Sequence, residues 1–252
     1  PVHGRLVGHT GDGSKPLHSV FRVDRFLTAA ECALLLDTAK ALDTWTLASH
    51  TPYPTSDIHL SDLAVGSEDA AMQRWVGMWI ASRLYPMLAE LYDVAPGSLW
   101  LKEAVLIKYL APSPISTAHA NISGRQKRGL VPAGVGEHRD ASVLSFNILL
   151  NDASELVEGG GTLFPQLRPA KLEEDGATSS GGGGGKRHVQ DEMSSASEKP
   201  GNHTGDPRVV RLKRGDVVVH AGKALHAGVP LRREGSRRYL LAGFVQLCGS
   251  CE

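Results

Sequence analysis

The sequence predicts a mainly β protein of the α+β class, in which helices support an antiparallel sandwich or barrel. Two amphipathic helical segments lie before residue 93, and short apolar, partly alternating segments separated by turn residues follow from Ser98 onward. The 252 residues include 41% hydrophobic side chains, which suits a globular protein with a sizeable core. We expect one domain over 21–252 and a loose arm over 1–20, where Gly, His and Ser follow no apolar period.

Charge and composition exclude several classes of protein. Lys plus Arg and Asp plus Glu both number 27, so the chain lacks the cationic excess of a general nucleic-acid binder. Its 3 cysteines cannot form a disulfide framework, and no apolar run approaches the ~20 residues of a membrane span. Because a chain of this length needs no disulfide or metal in order to fold, we expect any metal site to be catalytic rather than structural.

The predicted helical support covers 28–92. The first helix begins after Thr28, because Glu31 completes a capping box ahead of apolar residues at helical spacing. The second helix covers about 68–92, where Trp75 and Trp79 belong to a broad apolar stripe. We expect both tryptophans to pack in the core rather than to contact a ligand.

The predicted β core covers 98–247 and contains two long interruptions. The strand segments are 98–110, 141–150, 161–164, 209–212, 216–220 and 238–247. Between the first two, 111–136 forms a long loop of Pro, Gly, Ser and basic residues. Farther on, about 170–206 includes five consecutive glycines and many serines. That composition predicts a disordered insertion, because it cannot bury enough apolar surface to offset the entropy cost of ordering. A phosphate-binding loop is the alternative, but the glycine run has no strand before it and no Gly-Lys-Ser/Thr ending.

A metal site is indicated at Glu137-His-Arg-Asp, which we place at the head of a strand. Side chains two apart on a strand point to the same face, so His138 and Asp140 can reach one ion. Two histidines and one carboxylate on one face are the usual ligands of non-haem Fe(II). The third ligand should be a distant histidine on a neighbouring strand, and both His220 and His226 are candidates.

Five further motifs follow the His/Asp pair in a definite order. They are SFNILLN at 145–151, EGGGTLFP at 158–165, GDVVVH at 215–220, HAGVP at 226–230 and RYLLAGF at 238–244. Their order and spacing resemble the iron- and 2-oxoglutarate-dependent dioxygenases of the prolyl and lysyl hydroxylase group, especially the catalytic domain of procollagen lysyl hydroxylases. The resemblance runs from about Tyr53 to Gln246 and is interrupted by the long loop and by the glycine-rich insertion.

The resemblance implies a double-stranded β-helix core, the cupin-like jelly-roll, and a set of iron ligands. It assigns His138, Asp140 and His226 as the catalytic metal ligands. The distal family histidine stands in a His-x-Gly-x-Pro setting, which the segment starting at His226 matches. His220 corresponds instead to a second family histidine that is not a ligand.

The resemblance also implies residues that bind 2-oxoglutarate. Arg238 matches the basic residue that holds the far carboxylate, a task suited to a planar guanidinium. The adjacent Arg237 is the alternative, because this chain has about two extra residues before that position. Tyr109 and Asn147 match positions that contact the co-substrate. The alternative is that Tyr109 is simply half-buried and that Asn147 is a core asparagine whose hydrogen bonds are made within the protein.

By the same resemblance, we expect an enzyme that uses Fe(II), 2-oxoglutarate, O2 and the reductant L-ascorbate to hydroxylate a lysyl or prolyl side chain of a protein or peptide. The alternatives are a catalytically silent metal-binding jelly-roll that recognises a partner, and a dioxygenase of a small molecule. Asp57 and His59 are expected near the mouth of the site, either as substrate contacts or in a structural hydrogen bond. Cys248 and Cys251 have redox or zinc-ligand spacing, but without a second pair we expect neither role.

Overall fold

The computed structural model of the protein describes residues 4–46, 55–62, 68–111, 133–156, 158–170 and 205–248. The strands are β1 (Arg5–His9), β2 (Ser19–Val23), β3 (Ser56–His59), β4 (Leu99–Leu110), β5 (Val135–His138), β6 (Leu144–Leu149), β7 (Thr162–Leu163), β8 (Arg168–Pro169), β9 (Val209–Val210), β10 (Val217–Ala221), β11 (His226–Gly228) and β12 (Arg237–Leu247). The helices are α1 (Ala29–Leu42), α2 (Glu68–Trp79), a π-helical turn (Ile80–Leu84) and α3 (Tyr85–Tyr92).

The described strands form two antiparallel sheets. The major sheet has the order β3-β4-β12-β6-β10-β2-β1-β8, and the minor sheet has the order β5-β11-β7-β9. The helices are few and precede most of the strands. The mainly β prediction is therefore confirmed, with helices before the main β region as expected.

The two faces of the major sheet bury two different cores, because alternate side chains of a strand point to opposite faces. On one face the strands pack against the helices, and this core includes Leu35, Trp79, Leu84, Leu106, Phe146 and Leu241. On the other face they pack against the minor sheet, and this core includes Val105, Ile107, Phe164, Val210, Val218 and Leu240. Trp79 is buried and Trp75 packs beside it, so both predicted core tryptophans are confirmed.

The capping box of the first predicted helix is confirmed, whereas the second predicted helix is not continuous. The Thr28 hydroxyl accepts from the Glu31 backbone N–H at 3.2 Å, and the Glu31 carboxylate accepts from the Thr28 N–H at 2.7 Å. The second predicted helix is interrupted by the π-helical turn, in which the Tyr85 N–H bonds the Ile80 carbonyl. Pro86 follows directly, and because proline has no N–H, the regular hydrogen-bond ladder has to shift there.

The prediction of a loose arm is wrong for the residues of β1. That strand pairs antiparallel with β2 and also with β8. Its side chains are mostly exposed or half-buried, so hydrogen bonds of the backbone, rather than an apolar period, fix it to the sheet.

Other predictions fall on residues outside the described ranges. They are most of the long loop, at 112–132, nearly all of the glycine-rich insertion, at 171–204, and Cys251. Disorder of the insertion therefore stays a prediction. Of the helices in the described ranges, none is long and apolar enough to cross a membrane.

Packing between β12 and β6 yields a test of the major sheet. Gly243 lies opposite Phe146, and a Cβ at Gly243 would stand 2.1 Å from that ring. Gly243→Ala should therefore lower the free energy of unfolding by about 1–3 kcal/mol through overpacking, as measured by urea denaturation. Gly97→Ala is the matched control, since a Cβ there meets nothing within 4 Å. Equal stability of the two variants would contradict the packing described.

Candidate metal and co-substrate site

Pairing of β5 with β11 brings two predicted ligands together. His226 lies directly opposite His138 in the antiparallel register, and the centroids of the two rings are 4.3 Å apart. The predicted position of the His/Asp pair at the head of a strand is wrong. His138 ends β5, and Asp140 lies in the connection to β6, where its N–H bonds the Gly222 carbonyl at 2.8 Å.

The three side chains converge on one point. Asp140 Oδ1 lies 3.6 Å from His138 Nε2, and Asp140 Oδ2 lies 3.7 Å from His226 Nε2. One potential ligand atom from each of the three lies within 4.8 Å of the other two. In the part of the chain that the structure describes, no other group of His, Cys, Asp and Glu side chains is arranged to hold a metal in this way.

Backbone carbonyls hold both imidazoles with Nε2 directed toward the centre. His138 Nδ1 bonds the Gly136 carbonyl at 2.8 Å, and His226 Nδ1 bonds the Ala224 carbonyl at 3.0 Å. Because a carbonyl can only accept, both Nδ1 atoms carry a hydrogen, which leaves Nε2 as the atom of each ring that can offer a lone pair to a metal. Burial, followed by the neighbouring His220, lowers the pKa of His226 and so favours the neutral ring. The donor set therefore fits a divalent transition metal such as Fe(II).

His220 lies behind the metal-ligand group rather than in it. Its ring is fully buried, 4.5 Å from the His226 ring, and its Nδ1 bonds the Ala221 carbonyl at 2.8 Å. Burial lowers the pKa of His220 as well. Of the two candidates for the third ligand, the structure thus places His226 with His138 and Asp140.

A pair of serines that sequence reasoning missed holds the carboxylate. Ser145 donates to Asp140 Oδ2 at 2.6 Å, and the Ser142 and Ser145 hydroxyls are 2.8 Å apart. The alternation of β6 gave a signal for Ser145, because residues two apart share a face and Asn147 was already expected to face the site. Nothing in the sequence pattern distinguished Ser142.

His138, Asp140 and His226 line a cavity of about 360 Å³ between the two sheets. Its apolar walls come from alternate residues of the major sheet together with Val135 of the minor sheet. They are Val105, Ile107, Val135, Leu240, Ala242 and Phe244. Arg238, Tyr109 and Asn147, the three predicted co-substrate contacts, line the same cavity.

Arg238 is a buried cation that bonds neutral acceptors. Its side chain is almost fully buried, and it donates to the Gly161 carbonyl at 2.8 Å and to Thr162 Oγ1 at 3.3 Å. Within the described ranges, no carboxylate forms an ion pair with it. Arg237 is exposed, as expected for the neighbouring residue on a strand. Thr162 was missed in the sequence, because only the fold brings β7 to Arg238.

Tyr109 and Asn147 complete the polar lining. Burial raises the pKa of Tyr109 to about 12, so its phenol stays a neutral hydrogen-bond donor beside Arg238. Asn147 is half-buried and faces the cavity from β6. The structure thus places both side chains on the cavity wall, where their amide and hydroxyl groups can bond a bound acid.

Asp57 and His59 face the same cavity side of the major sheet. In β3 they pair with Ile107 and Val105 of β4, both of which line the cavity. His59 Nδ1 bonds Glu103 Oε1 at 2.5 Å, and the Thr55 hydroxyl bonds Asp57. The structural hydrogen bonds considered as one alternative for this pair are therefore present.

Comparisons with known proteins yield a likeness of fold. No protein-family model matches the chain, and no curated protein sequence matches it. Among solved structures, an oxidoreductase of the 2OG-Fe(II) oxygenase family from Burkholderia pseudomallei is 14% identical with a TM-score of 0.52, over 90% of this chain and 84% of that one. A Pseudomonas putida prolyl-4-hydroxylase is 14% identical with a TM-score of 0.50, over 91% and 93%. The epimerase SnoN, in complex with Fe³⁺, alpha-ketoglutarate and nogalamycin RO, is 15% identical with a TM-score of 0.50, over 92% and 82%. At these identities, the likeness shows that the chain has the fold of these oxygenases.

The serine contact yields a test of the metal site. Ser145→Ala should weaken Fe(II) binding about tenfold, because it removes the hydrogen bond that orients the Asp140 carboxylate. Anaerobic titration calorimetry measures the effect. Ser98→Ala, which removes an exposed hydroxyl bonded to the Ala95 carbonyl, is the matched control. Unchanged affinity in Ser145→Ala would show that this hydroxyl does not support the metal.

Proposed function

We propose that the protein is an Fe(II)- and 2-oxoglutarate-dependent dioxygenase that hydroxylates an unactivated carbon and releases succinate and CO2. One observation carries the proposal. Two imidazoles and a carboxylate converge in a cavity that also contains a buried guanidinium without a carboxylate partner in the described residues. A metal cation would bind the imidazoles and the carboxylate, and a dianionic acid would bind both the metal and the guanidinium.

The metal would be held by His138, Asp140 and His226. Three protein ligands on one face would leave room at the metal for the co-substrate and for O2. When bound, Fe(II) would supply the activation of O2, by which one oxygen atom enters succinate and the other enters the product hydroxyl. The protein orients the ligands, through the backbone carbonyls at the two Nδ1 atoms and through Ser145 at the carboxylate.

Arg238 would bind the far carboxylate of 2-oxoglutarate. Its guanidinium can bond both oxygens of a carboxylate, and it is held in place by Gly161 and Thr162. Tyr109 would donate its hydroxyl hydrogen to the same end of the acid, and Asn147 would bond it from β6. Apolar walls exclude water from the remainder of the cavity, and this strengthens each of these interactions.

The proposed prime substrate is a lysyl or prolyl side chain of a protein, and L-ascorbate is the proposed reductant that restores oxidised iron. The sequence resemblance to prolyl and lysyl hydroxylases supports this choice, and a prolyl-4-hydroxylase is among the structures of similar fold. A small-molecule substrate is the second candidate, because SnoN binds nogalamycin RO within a similar fold. The two sheets with a cavity between them support a jelly-roll as the finer description of the fold.

The proposal is tested by loading the protein anaerobically with Fe(II) and 2-oxoglutarate. The visible charge-transfer band of the chelate should appear, and succinate should form when O2 is admitted. His138→Ala, Asp140→Ala and His226→Ala should each abolish both signals while the circular dichroism spectrum is retained. The control is His18→Ala, a histidine outside the cavity lining, which should leave both signals unchanged. Undiminished turnover in any ligand variant would refute the assignment, and absence of the band in the unmodified protein would favour a silent binding module.

Arg238 and Arg237 form a matched pair for the co-substrate site. Arg238→Met should weaken 2-oxoglutarate binding about tenfold to a hundredfold, because charge-assisted hydrogen bonds in the cavity are lost. Arg237→Met removes an equal charge from the exposed side of the same strand and should change the affinity by no more than about twofold. Anaerobic titration of the chelate band measures both. A larger effect at Arg237 would reverse the assignment.

A further inference from the structure

A second polar group reaches the cavity wall through Glu103, apart from the proposed metal ligands and co-substrate contacts. It consists of Glu103 on β4 with His59 and Asp57 on β3, and we call it the β3–β4 relay. Glu103 lines the same cavity as His138, Asp140 and His226. The proposed sites for Fe(II) and 2-oxoglutarate do not include these three side chains.

Strand register places the relay near the level of the metal ligands. Glu103 is opposite Phe244 on β12, and Phe244 is opposite Ser145 on β6. Ser145 in turn bonds Asp140, so Glu103 stands two strands, about 10 Å, from the residue that supports the metal ligand. Arg238 pairs with Tyr109 of β4. Tyr109 is six residues along β4 from Glu103, so Arg238 lies ~20 Å from Glu103, at the opposite end of the cavity wall.

The relay holds the Glu103 carboxylate in a fixed position. A carboxylate only accepts, so His59 Nδ1 carries the hydrogen that bonds Glu103 Oε1 at 2.5 Å. On the other side of the ring, His59 Nε2 lies 3.5 Å from Asp57 Oδ1. Asp57 is fully buried and accepts from the Thr55 hydroxyl. Its backbone bonds Thr46 in both directions, which anchors the buried end of the relay.

Exposure increases along the relay toward the cavity. The side chains of Asp57, His59 and Glu103 are 0%, 14% and 31% exposed. Glu103 is therefore the relay member with the most accessible oxygens. In the described residues, its ion-pair partner is His59 alone. Such a carboxylate is a preorganised acceptor for a charged N–H donor.

Besides Arg238, two cationic side chains line the cavity, and both bond backbone carbonyls. Lys102 Nζ donates to the Ala141 carbonyl at 3.4 Å, and Arg139 donates to the Lys223 carbonyl. Neither forms an ion pair with Glu103 in the described ranges. Glu103 thus remains available for a positive group that enters with a ligand.

We propose that Glu103, positioned by His59 and Asp57, selects prime substrates that carry a protonated amine. The amine would bond the Glu103 carboxylate, while the carbon to be oxidised reaches the metal ligands on the same level of the cavity. The inference rests on the proposed dioxygenase function, because it assumes that the metal end of the cavity is where the substrate reacts. Glu103 acts in specificity, and His59 and Asp57 are positioning residues.

The test uses three matched probes with the anaerobic protein loaded with Fe(II) and 2-oxoglutarate. The probes are the Nα-acetyl methylamides of lysine, norleucine and glutamate, which carry a cation, no charge and an anion. Binding is measured by calorimetry and by perturbation of the chelate band. The lysine probe should bind about tenfold more tightly than the norleucine probe, as a charge-assisted hydrogen bond predicts.

Variants separate specificity from folding. Glu103→Gln should remove the preference for the lysine probe, and Glu103→Lys should transfer it to the glutamate probe, an exchange that a merely structural role would not produce. Glu90→Gln, which removes an exposed carboxylate on α3, is the control and should retain the preference. Equal binding of lysine and norleucine probes by the unmodified protein, or a preference retained in Glu103→Gln, would overturn the proposal.

The two proposals can fail separately. If the chelate band forms but no amine preference exists, the dioxygenase function stands and the role of Glu103 is wrong. If no band forms, the dioxygenase function fails, and calorimetry of the same probes with the metal-free protein still decides whether Glu103 selects an amine. An amine preference without the band would then describe a binding site rather than an enzyme.

Discussion

The antiparallel register of β5 and β11 is the constraint on which the candidate site depends. It sets His138 directly opposite His226, and directly opposed residues of paired strands point to the same face. A shift of one residue would turn one imidazole away from the cavity. Asp140 then needs only a short connection after β5 to reach both rings, and its N–H is fixed by the Gly222 carbonyl. Backbone hydrogen bonds, which are insensitive to side-chain identity, thus position all three proposed ligands.

Burial of opposite charges is the second requirement of this architecture. Asp140 and Arg238 are both almost fully buried, although isolated charges are costly to remove from water. Each is partly compensated, Asp140 by Ser145 and Arg238 by Gly161 and Thr162. Neutral partners compensate a full charge only in part. A bound cation at one site and a bound carboxylate at the other would complete the compensation.

Much of the fold and of the site could be predicted from the sequence. The capping box at Thr28 and the apolar stripe with Trp79 are local signals, and both are confirmed. His226 and Arg238 both line the cavity, as expected from the sequence motifs that begin at these two residues. The sequence did not predict β1, because backbone pairing at a sheet edge leaves no apolar period. Contacts across strands that are distant in sequence, such as Arg238 with Thr162, were equally inaccessible, since they depend on register.

The proposed co-substrate contacts and the proposed specificity group lie mostly on different strands of the major sheet. Strands β12 and β6 are paired on both sides, and they carry Arg238, Asn147 and the supporting Ser145. Two members of the β3–β4 relay, Asp57 and His59, lie on the edge strand β3, which among the described strands pairs with β4 alone and makes a bridge to Thr46 on its other side. Glu103 lies on β4, beyond the end of the pairing with β3, which stops at His59 opposite Val105. A change at an edge strand disturbs fewer neighbours than one in the interior of a sheet. Substitution of Glu103 or His59 could therefore alter the group that the cavity recognises while the metal ligands keep their register, and so one fold could support oxygenases with unrelated substrates.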